Sequence, residues 1–245
     1  MDDFAFLSDF YDEFVGADYE KIARFIHRKI FTYCSDAVYG VDLGCGSGTL
    51  TYMLAKMGFD MIGIDRSEAM LAQAVSKKQE NDKVLFLQQD LTEIDLYGAA
   101  DFMVSTLDCI NYLEDIEQVR TFFEHCNTFL KPNGLLIFDF NSLYKYAEVL
   151  DGNNFVYETE DVFCIWENEF DGDNMHYDLT YFVRDGKHYD RYDEYQKQTF
   201  YTVDQIKKLL DKSDFEILSL ENDYDSSPIL EQTERYVLTA RKRSV

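Results

Sequence analysis

The sequence predicts an α/β protein: a doubly wound, mostly parallel sheet with an antiparallel β-meander inserted before its last elements. Three observations carry that reading. Strand-like and helix-like stretches alternate as far as about residue 140, as βαβ units do. A glycine-rich turn, Gly44-Cys45-Gly46-Ser47-Gly48, closes the first strand and opens a helix. Between residues 155 and 200 the pattern changes to alternation, broken by turn signals at Asp171-Gly172-Asp173-Asn174 and Asp185-Gly186.

The elements follow in order. Asp18 can cap a helix to Tyr33, because Tyr19, Ile22, Phe25, Ile26 and Ile30 share one apolar face. Val38 to Leu43 reads as a short strand, and Thr49 to Met57 as a helix stopped by Gly58. Met61 to Ile64 is a second strand, and Ser67 caps a helix reaching about Lys78. Val84 to Leu87 and Phe102 to Leu107 are the third and fourth strands. Asp115 opens a helix to Leu130, Lys131-Pro132-Asn133-Gly134 turns the chain, and Leu135 to Phe140 is the fifth strand. The meander is read as three stretches, Phe155 to Phe170, Met175 to Arg184 and His188 to Phe200. Thr202 and Gln205 form a capping box for a helix to Lys212, and Phe215 to Leu220 and Tyr236 to Ala240 close the chain as strands. Residues 1–141 and 201–245 are therefore expected to form the sheet domain, with 142–200 inserted as a cap.

Composition narrows the function. The 23 Lys and Arg stand against 47 Asp and Glu, a net charge of −24, which repels phosphate backbones and anionic membranes. Nucleic acid is a disfavoured partner on that ground. The five cysteines form no C-x-x-C pair and read as reduced thiols. No two of the four histidines have ligand spacing, so no metal is expected. The acidic start Met1-Asp2-Asp3-Phe4 has no apolar signal region, and no apolar run approaches the ~18–20 residues of a membrane span. A cytoplasmic protein, monomer or homodimer, is the expectation.

The chemistry lies in Val41-Asp42-Leu43-Gly44-Cys45-Gly46-Ser47-Gly48. Glycines there let backbone approach a ligand, and the helix that follows offers free amides. The spacing is G-x-G-x-G, not the G-x-G-x-x-G of a pyrophosphate site, which argues against a nicotinamide enzyme. Asp42 would repel a pyrophosphate and suits an ammonium or sulfonium centre. Asp65 ends the second strand about 20 residues past the glycines, where a carboxylate can accept ribose hydroxyls. Asp90, after the third strand, can receive an adenine amino group, and Ser105-Thr106-Leu107-Asp108 ends the fourth strand beside the same crevice.

With these residues in place the sequence resembles the class I S-adenosylmethionine-dependent methyltransferases, whose fold is Rossmann-like. Asp42-Leu43-Gly44-Cys45-Gly46-Ser47-Gly48 looks like their first motif. Asp65, Asp90-Leu91 and Leu107-Asp108-Cys109-Ile110-Asn111-Tyr112 fall where later motifs fall. The likeness covers residues 38–141. Phe10-Tyr11-Asp12 and the meander are similar, more narrowly, to a bacterial subgroup with a β-meander over the active site. The resemblance implies S-adenosyl-L-methionine as cofactor, held by Tyr11 at its methionine end, by Asp65 at its ribose and by Asp90 at its adenine. The expected binding set is Tyr11, Asp42, Gly44, Cys45, Gly46, Gly48, Asp65, Arg66, Met70, Asp90, Leu91, Thr106 and Asp108. Asn141 stands where a histidine is associated with that subgroup, which removes a histidine-based role there. Asp108, Asn141 and Tyr195 are the candidate catalytic residues, and the expected acceptor is a small molecule. A non-catalytic cofactor-binding protein and an RNA methyltransferase are the alternatives.

Overall fold

The structure is a computed structural model that describes residues 16–80 and 82–244. Among the described residues eleven strands fall into two sheets. The larger uses β1 (Tyr39–Leu43), β2 (Asp60–Asp65), β3 (Val84–Gln88), β4 (Ala100–Ser105), β5 (Leu130–Asn141), β10 (Phe215–Asn222) and β11 (Arg235–Lys242), in the order β10-β11-β5-β4-β1-β2-β3. The pairs from β3 to β5 are parallel, while β11 runs antiparallel to both β5 and β10. The order reverses beside β1, so β2 and β4 flank it, and a crevice opens at the strands' carboxyl ends. This is a Rossmann-like sheet.

Helices α1 (Tyr19–Tyr33), α2 (Thr49–Lys56), α3 (Glu68–Ser76), α4 (Ile116–Phe129) and α5 (Val203–Lys212) connect and flank these strands. The expected caps are formed. Asp18 accepts from the Lys21 amide, Ser67 from the Met70 amide, Asp115 from the Glu117 and Gln118 amides, and Thr202 and Gln205 make the reciprocal box. The two faces of the sheet bury separate clusters. Ile22, Phe25 and Ile26 of α1 pack with Leu135, Ile137 and Val237, while Phe122 and Phe123 of α4 pack with Phe138, Phe140 and Leu210.

The second sheet is the inserted antiparallel meander, β6-β7-β8-β9. Its first expected stretch is two strands, β6 (Asn154–Glu158) and β7 (Val162–Phe170), rather than one. The turn between them carries no glycine. Thr159 closes it instead: its amide donates to the Val162 carbonyl (2.8 Å), and its hydroxyl accepts from the Val162 amide (3.1 Å). Strands β8 (Asn174–Asp185) and β9 (His188–Thr199) pair in register along their length. Parity then sorts the side chains: Met175, Tyr177, Leu179 and Tyr181 are buried, and His176, Asp178 and Thr180 lie on the other face.

Two other differences bear on the site. The expected turn at residues 131–134 is a bulge within β5, since Ala100 pairs Leu130 but Phe102 pairs Leu135. Strand β4 stops at Ser105, two residues before the expected end, because Leu107 and Asp108 turn into the left-handed region at φ 59° and 57°. A short 3-10 turn, Cys109–Tyr112, follows, and a π-helical turn, Lys145–Leu150, follows β5.

Candidate active site

The glycine turn is shaped by backbone conformation. Gly44, Gly46 and Gly48 have φ of 75°, 51° and 75°, open to glycine at little cost. The amides of Gly44 and Cys45 both donate to the Ile64 carbonyl, at 2.8 and 2.9 Å, pinning the turn to the end of β2. A Cβ on Gly44 would lie 2.3 Å from Cys109 Sγ, and one on Gly48 2.9 Å from Ala74 Cβ and Phe86 Cζ. Gly44 thus admits the turn after β4, and Gly48 lets α2 settle against α3 and β3.

Asp65 ties the next layer. Its Oδ2 accepts from the Gly46 amide (2.8 Å) and its Oδ1 from the Ser67 amide (2.9 Å). One carboxylate therefore fixes both the glycine turn and the start of α3. Asp90 is held by its own turn, accepting from the Thr92 amide (2.8 Å) and hydroxyl (2.6 Å).

These elements enclose a cleft of about 670 Å³, counting its open mouth. Of the expected binding residues, Gly44, Gly46, Asp65, Arg66, Met70, Asp90 and Leu91 line it. Asp42 does not. Its carboxylate is 1% exposed and accepts from Thr51 of α2 at 2.6 Å. Burial pushes the Asp42 carboxyl up to about 7, against the Thr51 hydrogen bond and with help from nearby Asp65. Cys45, Gly48, Thr106 and Asp108 also lie outside the lining. Burial raises the Cys45 thiol well above its ordinary value, as for a packed side chain rather than a nucleophile. Tyr11 lies outside the described residues.

On the far side the wall is built by Leu107, Cys109, Tyr112 and Leu113, none of which was in the expected set. The signal for them lay in the stretch after β4, but not the turn that aims them. Both left-handed residues of that turn donate their amides to one buried carboxylate. Leu107 reaches Asp139 Oδ2 at 2.8 Å and Asp108 reaches Oδ1 at 2.5 Å, and Tyr224 donates its hydroxyl to the same group. A left-handed leucine costs on the order of 1 kcal/mol or more, and Asp139 holds it. Asp139 is fully buried in the run Ile137-Phe138-Asp139-Phe140. A lone carboxylate in an apolar strand was the sequence's one trace of this arrangement.

Asp108 is the hub between the sheet and the meander. Its Oδ1 accepts from Arg235 Nη2 and its Oδ2 from Gln198 Nε2, each at 2.7 Å. Burial pushes its carboxyl up, but Lys145 and Arg235, with the Gln198 amide, outweigh that and hold it at about 2. It is a fixed anion, unsuited to take a proton near neutrality. Burial also raises Asp139, with repulsion from Asp108, although Arg235 opposes it. Asn141 is equally committed. Its amide donates to Asn111 Oδ1 (2.9 Å), its Nδ2 to Gln198 Oε1 (3.1 Å), and its Oδ1 accepts from Lys145 Nζ (2.8 Å). Tyr146 and Tyr177 add their hydroxyls to Gln198 Oε1, both at 2.9 Å. Farther along, Tyr112 donates to Gln196 Oε1 (2.9 Å) and Asn111 Nδ2 to the Thr199 carbonyl (2.9 Å).

Tyr195 needs correction. Gln196 and Gln198 point inward from β9, so Tyr195, one residue off that parity, points outward and is 52% exposed. Its hydroxyl lies 2.6 Å from His176 Nδ1 on the outer face, away from the cleft. No group of three or more potential metal ligands occurs among the described residues.

The cleft fits an adenosine joined to an amino acid. It offers glycine backbone, carboxylates at the ends of β2 and β3, and apolar walls from Met70 and Leu91. Known proteins agree. A family described as a methyltransferase domain matches residues 41–134. YqeM of Bacillus subtilis (strain 168), provisionally named a methyltransferase, is 33% identical over 236 residues, covering 95% of this chain and 94% of its own. The crystal structure of an S-adenosylmethionine-dependent methyltransferase from Clostridium acetobutylicum ATCC 824 superposes with a TM-score of 0.89 at 30% identity, over 97% of this chain and 98% of the other. S-adenosylmethionine-bound CalS10, an amino pentose methyltransferase from Micromonospora echinaspora, shares the fold with a TM-score of 0.76 at 18% identity, over 95% and 96% of the two chains. Glycine turn, paired carboxylates and full-length likeness converge, and the chain belongs to the class I S-adenosylmethionine-dependent methyltransferases.

Proposed function

We propose that this methyltransferase acts on a small-molecule acceptor, bound under the meander beside the cofactor cleft. The observation that carries the reading is the seam between β9 and the strand ends. Gln198 to Asp108, Tyr112 to Gln196 and Asn111 to Thr199 tie the meander to the very turn that lines the cleft. A sheet fastened there acts as a roof over a bounded space rather than an open track for a polymer. The net charge of −24 opposes an RNA acceptor in the same direction. The fold is also that of CalS10, an amino pentose methyltransferase.

The cofactor supplies an activated methyl group on a sulfonium, so neither a metal nor a covalent enzyme intermediate is required. In this reading Asp65 accepts the ribose hydroxyls, Asp90 receives the adenine amino group, and Met70 and Leu91 flank the base. Gly44 and Gly46 let backbone meet the methionine end. The protein's remaining task is alignment of the acceptor atom, worth on the order of 7–11 kcal/mol when well oriented. Leu107, Leu113 and Tyr112 keep that region dry, which favours the dispersal of charge. Asp108 is held at about 2, and burial raises the thiol of Cys109 and the phenol of Tyr112 well above their ordinary values. Among the described residues the cleft therefore suits an acceptor that is nucleophilic without a protein base, such as a neutral amine.

The test is methyl-labelled S-adenosylmethionine incubated with the protein and separated cell fractions. Label should enter the fraction below about 1 kDa, the scale of the ligands such clefts hold. Transfer to RNA or to protein instead would overturn the reading.

A further inference from the structure

A second cavity opens at the ends of β5, β10 and β11. It encloses about 860 Å³, counting its mouth, and includes Lys145, Arg235, Glu234, Asp223 and Asp225 in its walls. Asp108 connects it to the cofactor cleft: the carboxylate that holds Arg235 follows directly on Leu107, a wall of that cleft.

The carboxylates here are largely spent on other partners. Lys21 holds Asp223 at 2.5 Å and Asp225 at 2.7 Å. Asp139 is filled by two backbone amides and Tyr224, and Asp108 by Gln198 and Arg235. Glu234 stands exposed at the mouth. The two cations, in contrast, have donors to spare. Lys145 Nζ gives one hydrogen bond, to Asn141, of the three it can make. Arg235 Nε lies 3.8 Å from Asp139 Oδ2, too far to bond, and is a buried donor with no hydrogen-bond partner. Burial, and then repulsion from Arg235, depress the Lys145 amine although Asp108, Asp139 and Glu234 pull the other way. Two partly desolvated cations thus line one cavity, Lys145 with donors unused, next to the proposed place of the acceptor.

We propose that Lys145 and Arg235 form an anion-binding subsite that anchors the methyl acceptor by a carboxylate or phosphate group. An anion between them would fill the open donors of Lys145, meet the guanidinium of Arg235 and relieve the repulsion between the two cations. The inference rests on the small-molecule reading above and narrows it to an acidic acceptor.

Calorimetry on the full chain, saturated with S-adenosylhomocysteine and held at constant ionic strength, tests this with propanoate, methyl phosphate and propanamide as probes. At least one anion should bind about tenfold more tightly than the neutral amide, and the tighter anion names the acidic group. Lys145→Met keeps the stem and removes the charge, and should abolish that preference while S-adenosylhomocysteine affinity is retained. Arg235→Lys keeps the pairing charge for Asp108 and should weaken the anion by losing the fork. Equal binding of anions and amide, or an unchanged preference in Lys145→Met, overturns the subsite. Tighter binding of a short RNA than of either small anion would instead overturn the small-molecule reading.

Discussion

At the ends of β1 and β2 the site is made of residues near one another in sequence; at the ends of β4, β5 and β11 it is made of residues far apart. Gly46 and Asp65, which set the cofactor side, are separated by 19 positions. On the other side Asp108 binds Asp139 at 31, Gln198 at 90 and Arg235 at 127 positions. The first region is a backbone device in which positive φ at glycines and one carboxylate fix a turn. The second is a charge network, in which buried anions and cations are tolerable only because each finds the other. A backbone device fails by strain, and a charge network by leaving a charge alone in the dark.

That contrast sets the largest expected effect. Arg235→Met takes from the buried Asp108 and Asp139 the cation that bonds Asp108 and lies between them, leaving Lys145 alone to oppose their charge, and should cost about 3–5 kcal/mol of folding stability in urea denaturation. A loss below about 1 kcal/mol, the scale of an exposed pair, would show that solvent reaches the network. Gly44→Val tests the other region. The side chain would need φ near 75° and would drive its Cβ into Cys109 Sγ, so affinity for S-adenosylhomocysteine should fall on the order of 100-fold. Adding Cys109→Ala removes the Sγ collision but neither the φ strain nor the tight approach of the remaining Cβ at 3.2 Å, and should recover only part of the loss. Full recovery would mean that sterics alone, not backbone conformation, selected the glycine.

Next is Asp65→Ala, which leaves the Gly46 and Ser67 amides without their acceptor and removes the proposed ribose contact. Cofactor affinity should drop by at least ~1.5 kcal/mol. Calorimetry showing unchanged affinity would take Asp65 out of the site and leave it a clamp on the turn.

The same contrast explains what the sequence could disclose. Glycine spacing, helix caps and period-two alternation each act over a few residues, so the parallel sheet, the capping box at Thr202 and the meander were legible. Gly44, Gly46, Asp65 and Asp90 were legible as a cleft for the same reason. The β6–β7 turn was not, because Thr159 closes it through a side chain rather than through glycine. Neither was the role of Gln198, since alternation says that a face is shared but not which face is inward, and the polar Gln196 and Gln198 point in while Tyr195 points out. Asp108 could be picked out by its place after a strand. Its partner Arg235 could not, because only the antiparallel pairing of β11 with β5 brings the two together.

Asp42 lies on the border between the two regions and gives the smallest expected effect. It belongs to the glycine motif in sequence, yet in space it is a buried carboxylate braced by Thr51. Its folded-state value of about 7 lies above the ordinary 3.8, so the native state holds a proton that the unfolded chain has released. The stability this contributes is full below about pH 4 and is lost as pH rises through 7. Between pH 6 and pH 8 the loss amounts to about 1 kcal/mol. Asp42→Asn keeps an oxygen to accept from Thr51 but cannot ionise, so its stability should change less with pH over that range. The same variant separates two roles. If Asp42 senses the positive sulfur of the cofactor through the turn, the ratio of S-adenosylmethionine to S-adenosylhomocysteine affinity should fall in Asp42→Asn. An unchanged ratio with a flattened pH profile would make Asp42 a structural brace, and would leave recognition of that charge to the residues that line the cleft.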